Sequence, residues 1–344
     1  MKTRFAAELT RLRAAAPGGL LCGVIALAAT FVAEHYGGPQ LLYALLIGLA
    51  FHFLSHDAKI GIGLDFCSKT LLRAGVALLG LRITMTQVAA LGWGTGIMVA
   101  LGVASTIGFG LVLARWLKRP LAQGLVSGCS VGICGASAAL AVSSALPQTR
   151  ENERFTLLTV VGVTLMSTLA MVVYPLTAKA VGLSPAQAGV FFGATIHDVA
   201  QVVAAGMMWS DAGSTAAADS AVVVKLFRIM LLLPAVLLVS VVMRPTAGAT
   251  DKAVARDSAP PLVPGFLLVF IVFMLLASFS LVSAGLSAAA SSGSRALLVV
   301  AIAAAGVKTS FEDLFKLGWT PVLMLFAESV WIAVVAGCGL MLLS

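Results

Sequence analysis

Four groups of residues in this chain can do chemistry within an otherwise apolar sequence. The stretch "GCSVGICGAS" (128–137) sets Gly128, Gly132 and Gly135 among Ser130 and Ser137. Glycines let a ligand approach the backbone and hydroxyls add donors, so this stretch reads as a broken helix that binds an anion at its exposed amides. The stretch "GATIHDVAQ" (193–201) carries His197, Asp198 and Gln201. The spacing predicts His197 and Gln201 on one helix face. Lys225 and Arg228, three apart, also share a face. A guanidinium at position 228 can grip a tetrahedral oxyanion with two parallel donors, which an ammonium cannot. Glu328, in "LFAESVW", is the carboxylate deep in the last apolar run, where it either carries a coupled proton or pairs with a buried cation.

Each group also has a plainer reading. Small residues at 128–137 suit close helix packing. His197 and Asp198 can form a structural pair, and Lys225 and Arg228 can snorkel to the membrane surface. The functional reading assigns substrate contacts to Gly128, Ser130, Gly132, Gly135, Ser137, His197, Gln201, Lys225 and Arg228. It assigns coupling to His197, oriented by Asp198, with Glu328 as the alternative carrier.

The remaining sequence excludes other classes. There is no nucleophile–base pair, phosphate loop or metal signature, so neither an enzyme nor a cofactor is expected. The five cysteines, at 22, 67, 129, 134 and 338, form no C-x-x-C pair and read as small packing residues. The net charge of +8 is spread between apolar runs, with no basic face for nucleic acid.

What must position these groups is a bundle of membrane helices. Of 344 residues, 60% are hydrophobic and 10% charged, against about 25% charged in soluble proteins, and the mean hydropathy is +1.05. Apolar runs predict eleven spans, near 19–34, 40–54, 71–83, 94–114, 121–146, 155–176, 187–208, 221–243, 264–284, 295–307 and 320–343. Spans 3 and 10 are short and must extend into their flanks or be broken. Residues 1–18 form a cytoplasmic segment, 19–176 hold spans 1–6 and 177–344 hold spans 7–11, with a cytoplasmic linker at 244–263. With the N-terminus inside, sixteen Lys and Arg fall in cytoplasmic segments and four (Arg82, Arg150, Arg154 and Arg295) outside. That bias predicts a cytoplasmic N-terminus and an external C-terminus. Trp93, Trp116, Trp209 and Trp319 sit at span ends, where an aromatic belt belongs.

An internal echo lays "LLIGLAFHF" (45–53) over "VFFGATIHD" (190–198), matching Gly48 with Gly193 and His52 with His197. This register pairs spans 2–6 with spans 7–11, as an inverted repeat requires, and makes span 10 the partner of span 5. The expected break at 128–137 then faces a second near Ala305–Thr309. A rival register lays residues 71–93 over 297–319.

The stretches "GICGASAALAV" (132–142), "GATIHDVAQVVAAG" (193–206) and "KLFRIMLLLP" (225–234) resemble signatures of the sulfate-exporter family of YeiH-like bacterial inner-membrane proteins. The resemblance extends to "LLRAGVALLGLRIT" (71–84), to "PGFLLVFIVFMLLAS" (264–278) and to the Gly306 region, and it covers residues 40 to 344; His52 is not a residue that it leads one to expect. It implies an all-α polytopic fold of two inverted five-helix repeats whose discontinuous helices cross at mid-membrane. By analogy with the wider superfamily of bile-acid symporters, cation–proton antiporters and anion transporters, a homodimer is expected. The implied activity is export of sulfate or a related sulfur oxyanion; a coupling proton or sodium ion is a separate expectation from the residues above. The alternatives are a sodium- or proton-coupled organic-acid carrier, an anion channel and a membrane scaffold.

Overall fold

The computed structural model describes residues 2–37, 40–146, 149–209, 215–242, 265–309 and 319–343. Every regular element among them is helical. In chain order these are α1 (Lys2–Tyr36), α2 (Gln40–Ala50), a 3₁₀ turn (His52–His56), α3 (Ala58–Asp65), a π turn (Phe66–Leu71) and α4 (Leu72–Leu79). Next come α5 (Met85–Ala90), α6 (Gly92–Trp116), α7 (Leu121–Cys129), a second π turn (Ser130–Cys134), α8 (Ala136–Ser144) and α9 (Arg150–Val181). The rest are α10 (Pro185–Thr195), α11 (Val199–Trp209), α12 (Ala216–Met230), α13 (Leu232–Val242), α14 (Gly265–Ser278), α15 (Ala284–Lys308) and α16 (Trp319–Leu343).

Six helices are long and apolar enough to cross a membrane: Arg13–Tyr36, Gly92–Trp116, Arg150–Val181, Ala216–Val241, Ala284–Lys308 and Trp319–Leu343. Gln40–Ala50, Leu121–Cys134, Val199–Trp209 and Gly265–Ser278 are shorter apolar helices. The chain is therefore a multi-pass helical membrane protein. Both short spans of the sequence reading lengthen into their flanks. Span 10 starts at Ala284, and span 3 reaches back through the π turn to Ala58. The linker expected at 244–263 lies outside the described residues.

The chain divides into two compact units. Unit 1 comprises Met1–Gln87 and Gly265–Ser310. In it α2 and α15 cross closely, because a Cβ on Gly48 would stand 2.5 Å from the Ala303 carbonyl and 3.1 Å from Gly306 Cα. His52 donates from Nδ1 to the Val307 carbonyl at 2.8 Å at the same crossing. Gly306 thus serves packing. Helix α15 runs unbroken through Lys308 and ends at Thr309, whose backbone is extended, at the far edge of the discontinuity expected near Ala305–Thr309; residues 310–318 lie outside the described ones.

Unit 2 comprises Val88–Pro264 and Phe311–Ser344. Its core gathers Leu113, Val126, Ile133, Val142, Phe155 and Met324 from five helices and the second π turn. Trp93, Trp116 and Trp319 are exposed, as a belt requires, but Trp209 is buried. Its ring lies 6.0 Å from that of Phe192, and the Lys179 ammonium stands 5.4 Å from its centroid. Packing and a cation over the ring, worth about 0.5–2 kcal/mol, hold Trp209 inside.

Candidate functional site

Two helix breaks in unit 2 meet at one point. The first opens where α7 loosens into the π turn Ser130–Cys134 and then stops at Gly135, whose φ of 67° and ψ of −130° suit only glycine. Ser130 closes the kink: its carbonyl accepts from the Gly135 amide at 2.8 Å and its hydroxyl donates to the Gly135 carbonyl at 3.0 Å. The second break follows α10. Ile196 is extended (φ −67°, ψ 140°), and α11 resumes at Val199. A Cβ on Gly135 would stand 3.5 Å from the His197 carbonyl, so the breaks cross there. The break at 128–137 was expected, and within unit 2 the break it meets lies in span 7.

A broken helix leaves carbonyls without amides at its C-terminal end, where the dipole is negative. Here two buried cations supply the missing donors. Lys225 donates to the carbonyls of Ile133 (2.8 Å) and Ile196 (3.0 Å). Arg228 donates from Nε to Gly132 (2.9 Å), from Nη1 to Gly193 (2.9 Å) and Ile196 (3.0 Å), and from Nη2 to Val131 (2.8 Å). Each cation therefore ties the C-terminal end of the α7 segment to that of α10. Helix α12 can deliver them because α10 presents Gly193, where a Cβ would meet the Ala221 carbonyl at 2.5 Å. Ala221, Lys225 and Arg228 follow one another on the same face of α12.

This geometry corrects two expectations. Both side chains are fully buried, so neither snorkels. The fork of Arg228 holds backbone carbonyls, and two parallel donors are not left for an oxyanion. A guanidinium has five N–H groups, and four of these bonds are already made.

The second cluster is also rearranged. His197 sits in the break, not on a helix, so the four-residue spacing to Gln201 does not put them on one face. The His197 ring donates from Nδ1 to the Val131 carbonyl at 3.2 Å and pairs through Nε2 with Ser329 Oγ at 2.9 Å. Asp198 does not orient this ring through either of those bonds. Its Oδ1 accepts from the Ala200 amide at 3.1 Å and so caps α11, while its own amide donates to Ser167 Oγ at 3.0 Å. Gln201 turns to α9, with Nε2 3.5 Å from Thr168 Oγ1, and its buried Oε1 meets no donor among the described residues.

Gly132, Gly135, Ser130, His197, Lys225 and Arg228 thus come together, with Asp198 and Gln201 on the α11 side. Gly128 instead packs on α6, where a Cβ would stand 3.0 Å from Ile107 Cα, and Ser137 lies on the exposed face of α8. Glu328 lies apart from the crossing, accepting from Ser127 Oγ at 2.7 Å. The partners missed from sequence are Ser127, Ser167, Thr168 and Ser329. Ser329 follows Glu328 directly, and a hydroxyl beside an intramembrane carboxylate was the available signal.

A family described as conserved hypothetical protein 698 matches residues 17–325. The UPF0324 membrane protein CT0845 of Chlorobaculum tepidum is 44% identical over 319 residues, covering 92% of this chain and 87% of the relative. The UPF0324 membrane protein TauZ of Paracoccus denitrificans is 44% identical over 331 residues, covering 96% of each. A third UPF0324 membrane protein, RB0971 of Rhizobium meliloti, is 42% identical over 324 residues, with 94% of this chain and 92% of the relative covered.

Proposed function

The chain belongs to the conserved hypothetical protein 698 family, together with these UPF0324 membrane proteins, and from that premise we propose that it is a secondary transporter of a small inorganic anion. The substrate we infer is sulfate or a related sulfur oxyanion, moved outward across the bacterial inner membrane. One observation carries the reading. Lys225 and Arg228 neutralise the C-terminal ends of both broken helices, which leaves the positive N-terminal ends of α8 and α11 uncancelled at the crossing. Asp198 caps α11, while α8 starts behind Gly135 with no side-chain cap. The start of α8 is therefore where an anion gains most, about half a positive charge from the dipole together with amide donors.

In this reading the cations act through the backbone: they fix the crossing and keep the local potential positive, while Ser130 sets the kink. The eleven crossings, the two inverted repeats and the homodimer belong to the same proposal. So does coupling, at His197 and Asp198 in the crossing or at Glu328 beside it. A second reading, a sodium-coupled organic-acid carrier, is favoured by the unpaired Gln201 Oε1 beside Thr168, since hard cations take oxygen ligands.

Purified protein in liposomes tests both readings. Labelled sulfate and sulfite should exchange across the membrane, and lactate should not compete. Sodium-dependent lactate uptake without sulfate or sulfite exchange would replace the first reading with the second.

A further inference from the structure

Glu328 occupies a second polar cluster of unit 2, made by α6, α7 and α16. Its side chain is fully buried. Oε1 accepts from Ser127 Oγ at 2.7 Å, and Oε2 has no hydrogen-bond partner among the described residues. The carboxyl fits because α6 has a glycine opposite: a Cβ on Gly110 would lie 2.7 Å from Glu328 Oε1 and 2.6 Å from the Gly124 carbonyl. No ion pair reaches it among the described residues, and the buried cations Lys225 and Arg228 spend their described bonds on carbonyls. Among the described residues, then, no buried cation pairs with this carboxylate.

A carboxylate offers about four acceptor positions, and one hydroxyl fills one of them. Leaving an unpaired charge at such a place carries a penalty of several kcal/mol. A neutral side chain would fill the same space without that penalty, so a carboxyl kept there points to a gain and loss of charge. The other titratable groups on the elements around it are few. Cys129 of α7 faces it, and His197 reaches the next residue of α16 through Ser329. Helix α10 offers none, Cys134 lies in the π turn, and the charged residues of α6 and α9 (Arg115, Arg150, Glu151, Glu153, Arg154 and Lys179) sit in their end turns.

We propose that Glu328 is a protonation site within the membrane and the carrier of the proton coupled to anion movement. The coupling half rests on the transport reading above. On release, the O–H bond at Oε2 breaks, its electron pair stays on the carboxylate, and the proton passes to water while Ser127 keeps its bond to Oε1. Uptake reverses these steps.

Infrared difference spectroscopy of the wild type against Glu328→Gln, titrated with pH, tests the site itself. A carboxylic-acid stretch that titrates in the wild type and is missing from E328Q is expected. Identical spectra would overturn the proposal. Should E328Q not fold, Glu328→Asp replaces it, and its band should titrate at a different pH; an unchanged titration again overturns the assignment. Flux in liposomes tests the coupling. E328Q should keep sulfate–sulfate exchange but lose the acceleration produced by a proton gradient, and retained acceleration would refute a coupling role. If neither sulfate nor sulfite moves in the wild type, the transport reading and the coupling half fail together, while the infrared titration still decides whether Glu328 binds the proton.

Discussion

Arg228 is fixed by the carbonyls it satisfies, and that changes what its replacement should do. Lysine has the charge but not the planar fork, so Arg228→Lys puts at risk the carbonyls of Gly132 and Gly193, whereas Val131 and Ile196 keep bonds from His197 and Lys225. Each buried group left unsatisfied costs roughly 1–3 kcal/mol. Thermal unfolding in detergent should therefore show a large loss of stability in Arg228→Lys, along with lost sulfate exchange. A variant that transports poorly but unfolds like the wild type would mean that Arg228 touches the anion directly. Ser137→Ala should be nearly silent in unfolding, because Ser137 lies on the exposed face of α8, whereas Ser130→Ala loses the bond that closes the kink, about 1 kcal/mol. The sequence announced Lys225 and Arg228 as partners by their spacing. It could not announce their acceptors, since a backbone carbonyl freed by a helix break has no letter of its own.

At the scale of elements, Gly135 and Gly337 make opposite predictions for the same substitution. Gly135 holds a positive φ of 67°, so Gly135→Ala should strain the backbone by about 1–3 kcal/mol at the point where the two breaks cross. Gly337 lies in α16 with a negative φ and open space at its Cβ, so Gly337→Ala should stabilise the helix by about 0.5–1 kcal/mol. Unfolding and sulfate exchange measured on both variants check the pair; equal effects would mean that the kink at Gly135 is not essential. The first break was legible because glycines cluster around it. The second was not, because Ile196, His197 and Asp198 contain neither glycine nor proline, and the residues that stabilise the break come from α9 and α12. Gly306 serves a different purpose: it lets α2 approach α15 within its helical span.

For the whole molecule, the two units cut across the favoured repeat register. Spans 2 and 3 belong to unit 1, and spans 7 and 8, their assigned counterparts, belong to unit 2. Residues 71–79 and 297–305, matched in the rival register, both fall in helical segments of unit 1. Local similarity of Gly48 to Gly193 reflects a shared task, close packing of one helix on another, as much as shared descent. The orientation is a separate matter and rests on charge. Six long helices are accompanied by shorter and broken pieces, so the count of crossings depends on whether each broken pair traverses the membrane or turns back within it. Eleven full crossings put the two ends of the chain on opposite faces. The sixteen-to-four bias of Lys and Arg predicts the N-terminus inside. A fusion of alkaline phosphatase after Ser344 should then be active, since that enzyme folds only outside, and a fluorescent protein at the same place should stay dark. A bright fluorescent fusion with an inactive phosphatase would make the number of crossings even. The broken helices of unit 2 would then be the first suspects, because two half-helices meeting at a kink can return to the face they left as readily as they can cross.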